Sequence, residues 1–245
     1  MTNRRSGMIS KLVIGLALGA CVIAARPAAA QSTIFNIPTT DTVSPGKGYF
    51  EFDYFGQMPK PDAGQFQVFT PRGIVGVTPQ LEVGVNIAFS KVSDGGGTTK
   101  IIQPNAKYKF YADDDKGLAA SAGIIGYMVS NGGDDFGQIY ANVSKKTKSG
   151  TRVTGGVWGS LSYGSDNTAG VLLGLEQPIT PKVSFVADYL SGKNFWGYFT
   201  PGISVTLPHS GLLNIGYSIG NDSFGDGTAG YKNRALFVYY GITFP

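Results

Sequence analysis

Between residues 78 and 91 the chain reads TPQLEVGVNIAFSK. After the turn-like Thr78-Pro79-Gln80, every second residue is large and apolar: Leu81, Val83, Val85, Ile87 and Phe89. The residues between them are Glu82, Gly84, Asn86, Ala88 and Ser90. A period of two puts successive side chains on opposite faces of a β-strand, so this strand has one apolar and one small, polar face. The pattern recurs along the chain, punctuated by Gly, Ser, Asn and Asp, with no helix-period segment of useful length and no linker. It predicts twelve strands, over 48–56, 66–77, 80–91, 100–112, 116–130, 135–147, 150–163, 168–179, 182–192, 195–208, 211–220 and 231–244. Evenly spaced strands with turn signals between them form an antiparallel meander, as in a barrel or a sandwich.

The connections alternate in character. Thr78-Pro79-Gln80, Asp113 to Gly117, Lys148-Ser149-Gly150, Thr180-Pro181-Lys182 and Pro208 to Gly211 are short. Between them fall Gly/Asp/Asn-rich and mostly longer loops, among them GQMPKPDAGQ, SDGGGTT and NDSFGDGTAG. Short turns at one end and longer loops at the other are typical of an outer-membrane barrel. An even strand number keeps both termini at the short-turn end. The polar faces are mostly small and neutral: Arg152, Thr154, Gly156, Trp158, Ser160 and Ser162 on one strand, Asn214, Gly216, Ser218 and Gly220 on another, and Gln103, Asn105, Lys107 and Lys109 on a third.

Only 15% of the chain is charged, against about 25% in ordinary globular proteins. A water-facing exterior would carry many more Lys and Glu, both for solubility and to suppress edge pairing. The polar face is therefore assigned to a shared lumen and the apolar face to lipid. Strands in hydrocarbon must pair all round. The expected fold is an all-β, closed antiparallel up-and-down transmembrane β-barrel of about twelve strands. Phe50, Phe52, Tyr54, Tyr108, Phe110, Tyr163, Phe185, Tyr189, Phe199, Tyr217, Tyr240 and Phe244 share the apolar parity, many near strand ends where interface girdles form. Pro71, Pro104 and Pro201 fall inside predicted strands, where the missing N–H calls for a bulge or strand-end geometry.

The N-terminus has a different texture. Arg4, Arg5 and Lys11 precede an apolar run from Leu12 to Ala25, and Ala28-Ala29-Ala30 precedes Gln31. This is the pattern of a secretory signal peptide, cleaved near Ala30, with an apolar run too short to span a bilayer. Leu18-Gly19-Ala20-Cys21 resembles a lipoprotein cleavage box, with the better ordinary site downstream. The expected organisation is 1–30 signal peptide, 31–47 N-terminal periplasmic segment and 48–245 transmembrane barrel. The chain has 20 basic and 16 acidic residues; Arg4, Arg5, Lys11 and Arg26 account for the whole excess, leaving 16 of each sign after cleavage. The pI near 9.0 is thus no argument for a nucleic-acid partner. Cys21 is the only cysteine, so the cleaved chain has no disulfide, thiol nucleophile or cysteine metal site.

FTPRGIVGVTPQLEVGVNIAF (69–89) and FTPGISVTLPHSGLLNIGYSI (199–219) repeat one scheme: a strand, a proline-bearing turn and an alternating return strand. With the closing RALFVYYGITFP, these segments make the chain resemble the small porin- or transporter-like outer-membrane barrels of Gram-negative bacteria. QPNAKYKFY and ADYLSGKNFWGYFTPGISV are similar to members of an uncharacterised exported-barrel group, which implies no substrate. The last strand resembles that group's assembly signal but ends in Pro245 rather than an aromatic. The resemblance implies an outer-membrane location, with lipid and the export and barrel-assembly machinery as partners.

Candidate chemistry is sparse. His209 is the only histidine and falls in a predicted turn. Barrel phospholipases or proteases would need Ser or Asp partners for it at the outer rim, and none is evident. Asp113-Asp114-Asp115 lacks the spacing of a calcium loop. No enzymatic activity, metal or cofactor is expected. The informative charges share the lumen parity: Glu51, Asp53, Glu82, Glu176 and Asp188 against Arg72, Lys107, Lys109 and Arg152. Strand direction puts nearly all of them in the periplasmic half. Opposite charges in a narrow lumen pair. They form either a constriction selecting small polar solutes or an ion-paired network that plugs a narrow barrel, whose diameter scales with strand number. The expected function is a passive pore for small hydrophilic solutes with a charged periplasmic-side constriction. The alternatives are a non-conducting structural or adhesion barrel whose lumen is plugged by ion pairs and, behind it, a barrel enzyme.

Overall fold

In the computed structural model, residues 32–57, 66–92, 97–130, 132–162, 168–224 and 234–245 are described. The signal-peptide reading, Cys21, and Tyr163 lie outside them. Twelve strands run β1 Gly48–Gly56, β2 Phe66–Gly76, β3 Leu81–Val92, β4 Thr99–Asp113, β5 Leu118–Val129, β6 Phe136–Lys146, β7 Arg152–Leu161, β8 Ala169–Pro178, β9 Val183–Leu190, β10 Tyr198–Leu207, β11 Gly211–Gly220 and β12 Arg234–Phe244. Each pairs antiparallel with its sequence neighbours, and β1 pairs with β12 from Gly48↔Phe244 to Gly56↔Leu236, closing the barrel. Connections at one end are three to five residues long and those at the other six to thirteen.

Alternation decides which way each side chain points. Phe50, Phe52, Val83, Val85, Val153, Val157, Ile203 and Ile215 are exposed on the outer wall, while Tyr49, Glu51, Asp53, Thr154, Trp158, Asn214 and Ser218 are buried within. A packed protein interior normally inverts that order. Here the apolar faces form the outer band.

The strand prolines behave differently from expectation. No bulge forms at any of them. Partners pass from Phe69↔Phe89 to Arg72↔Asn86 around Pro71, from Ile102↔Met128 to Asn105↔Ile125 around Pro104, and from Phe199↔Ile219 to Gly202↔Gly216 around Pro201. The same number of residues passes on both strands, so each ladder skips two pairs without slipping. The missing N–H is absorbed on one side, while Pro71↔Phe52, Pro104↔Val85 and Pro201↔Ala187 stay in register on the other. The register shift lies instead between Lys109 and Tyr111 of β4. An extra residue there reverses the parity, which leaves both Phe110 and Tyr111 exposed.

Residues 32–47, expected as a periplasmic segment, enter from the short-turn end and lie largely in the lumen. Ile34, Phe35, Ile37, Thr39, Thr40 and Val43 are almost completely buried. The segment folds back on itself, with the Thr39 N–H donating to the Ser32 carbonyl (2.9 Å) and Ile34 N–H to the Ile37 carbonyl (2.9 Å). Residues 44–47 are exposed again and lead into β1.

Candidate functional site

The lumen has two tiers: a filled half at the short-turn end and a cavity above it. The filling is apolar at its tip. Phe35 lies on bare backbone, since a Cβ on Gly202 or on its paired neighbour Gly216 would sit 2.6 Å from the Phe35 Cζ. A Cβ on Gly174 would sit 2.6 Å from Ile34 Cδ1 and 2.8 Å from Ile37 Cδ1. Contacts that short do not occur between real side chains, so these glycines make the room for the segment. Phe35 also packs against Phe237 (5.5 Å between ring centroids) and Tyr239 (6.0 Å). Burying such side chains is worth roughly 1.5–3 kcal/mol each.

Polar anchors on several strands hold the segment. Asp188 Oδ2 accepts from the backbone N–H groups of Phe35 (3.0 Å), Asn36 (2.5 Å) and Ile37 (3.0 Å), and its Oδ1 from Asn36 Nδ2 (3.1 Å). Three successive amides aimed at one carboxylate form an anion-binding nest. Glu82 pairs with Lys107 (2.9 Å) and accepts from the Ser32 hydroxyl (2.7 Å) and the Val43 N–H (2.7 Å), while Lys107 donates to the Ser32 carbonyl (3.2 Å). Arg152 grips Glu176 on the neighbouring strand and Asp41 of the segment (2.5 Å). Burial pushes the Asp41 carboxyl up, but the Arg152 guanidinium together with Lys107 and Lys109 outweighs it and holds the group below the usual carboxylate range. Last, Asn142 donates to the Pro38 carbonyl (2.7 Å), and the Tyr239 hydroxyl to the Ile34 carbonyl (2.5 Å).

The predicted lumen charges therefore do not gather into one ring. Glu51, Asp53 and Arg72 meet on β1 and β2, with Arg72 Nε 2.6 Å from Asp53 and 3.4 Å from Glu51, and Tyr49 donating to Glu51 (2.5 Å). Glu82–Lys107 and Arg152–Glu176 are separate pairs, each joined to the segment. Asp188 is a receptor for backbone amides. Lys109 points into the lumen and has no ion-pair partner among the described residues. Sequence reasoning missed Ser32, Asp41, Asn36 and the glycine floor. The usable signal was an apolar Ile34-Phe35-Asn36-Ile37 without a strand partner, together with glycines on the lumen parity of β8, β10 and β11.

His209 sits in the β10–β11 turn at φ 58°, and Asp113 pairs with Lys116 in an exposed turn (2.8 Å). No cluster of metal-ligating side chains occurs among the described residues.

Above the segment lies a cavity of about 720 Å³. Its floor includes Asn36, Arg72 and Asn105, its walls Phe55, Ile101 and Tyr127. The β9–β10 loop folds over it. Trp196 of that loop reaches β5, on the far side of the barrel, where its indole N–H donates to the Tyr127 hydroxyl (3.1 Å).

No family model and no curated protein matches the chain. Among solved structures it is similar to the translocator domain of the autotransporter NalP from Neisseria meningitidis, at 14% identity and a TM-score of 0.43, with 98% of this chain and 97% of that chain covered.

Proposed function

We propose that the chain is an outer-membrane barrel of a Gram-negative bacterium that passes small solutes through its lumen when residues 32–43 move aside. The outer band of apolar side chains supports the membrane setting, because a closed barrel leaves no unpaired backbone in hydrocarbon. One observation carries the gating reading. The segment is held by side-chain anchors and contributes no strand to the barrel, so it can leave without breaking a ladder hydrogen bond of the wall. Behind it stands a wall lined by Glu82, Lys107, Arg152 and Glu176, which gives the passage a charged constriction. The reading is non-enzymatic, with lipid and the assembly machinery as partners.

A second reading has its own support. Ile34, Phe35 and Ile37 are buried like a protein core, which favours a permanently closed, structural barrel. Planar-bilayer conductance of the refolded protein separates the two. The chain lacking residues 32–43 is expected to give steady discrete steps and the intact chain only rare openings, with Glu82→Gln changing ion selectivity in the open form. Silence from a deletion variant that still migrates as a folded barrel would overturn the pore and leave the closed barrel.

A further inference from the structure

The long-loop half of the lumen is lined unlike a water channel. On inward positions β1 carries Phe55, β2 Phe66 and Val68, β4 Ile101, and β5 Ile125 and Tyr127. Two aromatic groups flank the space. Phe55 contacts Tyr198 edge-on (5.2 Å) and Phe237 (5.2 Å). Across from them Tyr127 stacks on Phe136 (4.6 Å) and meets Trp196 (5.9 Å). Apolar wall facing a cavity is stabilised by any occupant that takes it out of water.

One tier lower the lining turns polar, with Thr70, Asn86, Gln103, Asn105 and Gln138 beside Arg72. The charged groups there are ion-paired, Arg72 through its Nε with Asp53 and Glu51 and Lys107 with Glu82, while Asp53 Oδ1 keeps no hydrogen-bond partner among the described residues. The amides are not saturated. Asn105 donates to Asn86 (3.2 Å) and Asn86 to Gln103 Oε1 (3.2 Å). Among the described residues this leaves the Gln103 Nε2 hydrogens, the Asn105 Oδ1 and the Gln138 amide without a side-chain partner, so both donors and acceptors are on offer. An anionic head placed here would face Asp53 and Glu82, and a cationic head Arg72 and Lys107. A neutral hydroxyl or amide meets neither repulsion.

We infer that this cavity is a binding site for a small amphipathic molecule with an apolar or aromatic body and a neutral hydrogen-bonding head. The body lies between the two aromatic walls, and the head reaches the Gln103–Asn105 tier. Binding here needs no movement of the N-terminal segment, whose Asn36 forms part of the cavity floor.

Trp158 and Trp196 are the only tryptophans of the chain. They lie 5.3 Å apart, and Trp196 lines the cavity, so tryptophan emission reports occupancy. The test uses the intact protein in phosphatidylcholine nanodiscs, titrated with three quenchers sharing one ring: 4-nitrobenzyl alcohol, 4-nitrotoluene and 4-nitrobenzoate. The alcohol is expected to quench saturably and to bind about tenfold more tightly than either of the others. Gln103→Leu should bring the alcohol to the level of nitrotoluene, and Val68→Phe with Ile101→Phe should abolish saturation. Linear quenching, equal in the parent and the filled variant, would mean partition into the bilayer alone and would overturn the site. Nitrobenzoate binding as tightly as the alcohol in the parent protein would overturn the neutral-head assignment even if no variant folds.

Discussion

Glu82 illustrates how much of a lumen residue's role lies outside its own strand. Parity alone points it inward, and the register sets it opposite Lys107. Its other two partners, Ser32 and Val43, stand 50 and 39 residues away in the chain, and no periodicity signals them. The same is true of Asp188. Its strand could be read, but the three amides it accepts belong to a segment with no repeating pattern. A charge's side of the wall follows from local geometry, whereas its partner across a lumen depends on tertiary structure.

Both members of the Glu82–Lys107 pair are 3% exposed in their side chains. Removing one leaves the other buried and uncompensated, which costs about 3–5 kcal/mol. Glu82→Ala should lower the urea midpoint of the refolded barrel accordingly, followed by tryptophan emission in vesicles. Glu82→Leu with Lys107→Met removes both charges and should recover most of the loss. A double variant no better than the single would show that the stability comes from the Ser32 and Val43 contacts and not from ion pairing.

At the level of elements, the strands were legible and their glycines were not. Alternation marks a strand wherever its two faces meet different solvents, so the twelve bounds follow closely from the sequence. The prolines misled because a bulge is only one way to lose an N–H; a register-keeping gap on one side is another. Gly174, Gly202 and Gly216 read simply as small residues on the polar parity. What they accommodate becomes visible only when the segment lies across β8, β10 and β11.

Gly216→Val tests that accommodation. The added side chain must displace Phe35, and overpacking of this kind costs about 1–3 kcal/mol. That corresponds to roughly a 5- to 150-fold rise in the displaced population. Ile34→Cys supplies the reporter, in a chain whose only native cysteine, Cys21, precedes the expected cleavage site. Maleimide labelling of Cys at that position should be slow in the parent and faster by that factor with Gly216→Val, while the folded band on gels is retained. Unchanged labelling would place the segment's hold in its polar anchors alone.

For the molecule as a whole, the question is which solvent the outer wall meets. The chain's low charge and its loop asymmetry point to lipid, and both are legible because they are properties of the entire sequence. The filled lumen was not legible, since nothing in the composition distinguishes a lumen that holds water from one that holds a dozen residues of its own chain. Val157 gives the direct test of the outer face. It lies near the middle of β7 (Arg152–Leu161) and is 57% exposed. In water, replacing an exposed valine by arginine changes stability by about 0.5 kcal/mol or less. At a bilayer midplane the same change costs about 2–4 kcal/mol, because the guanidinium must thin the membrane or climb to its surface. Asp115→Arg, in the exposed β4–β5 turn, is the control at the water-facing end. Unfolding in urea from phosphatidylcholine vesicles should therefore separate the two variants by several kcal/mol. If they unfold together, the apolar wall does not meet hydrocarbon, and the band of exposed valines and phenylalanines must be covered by protein instead.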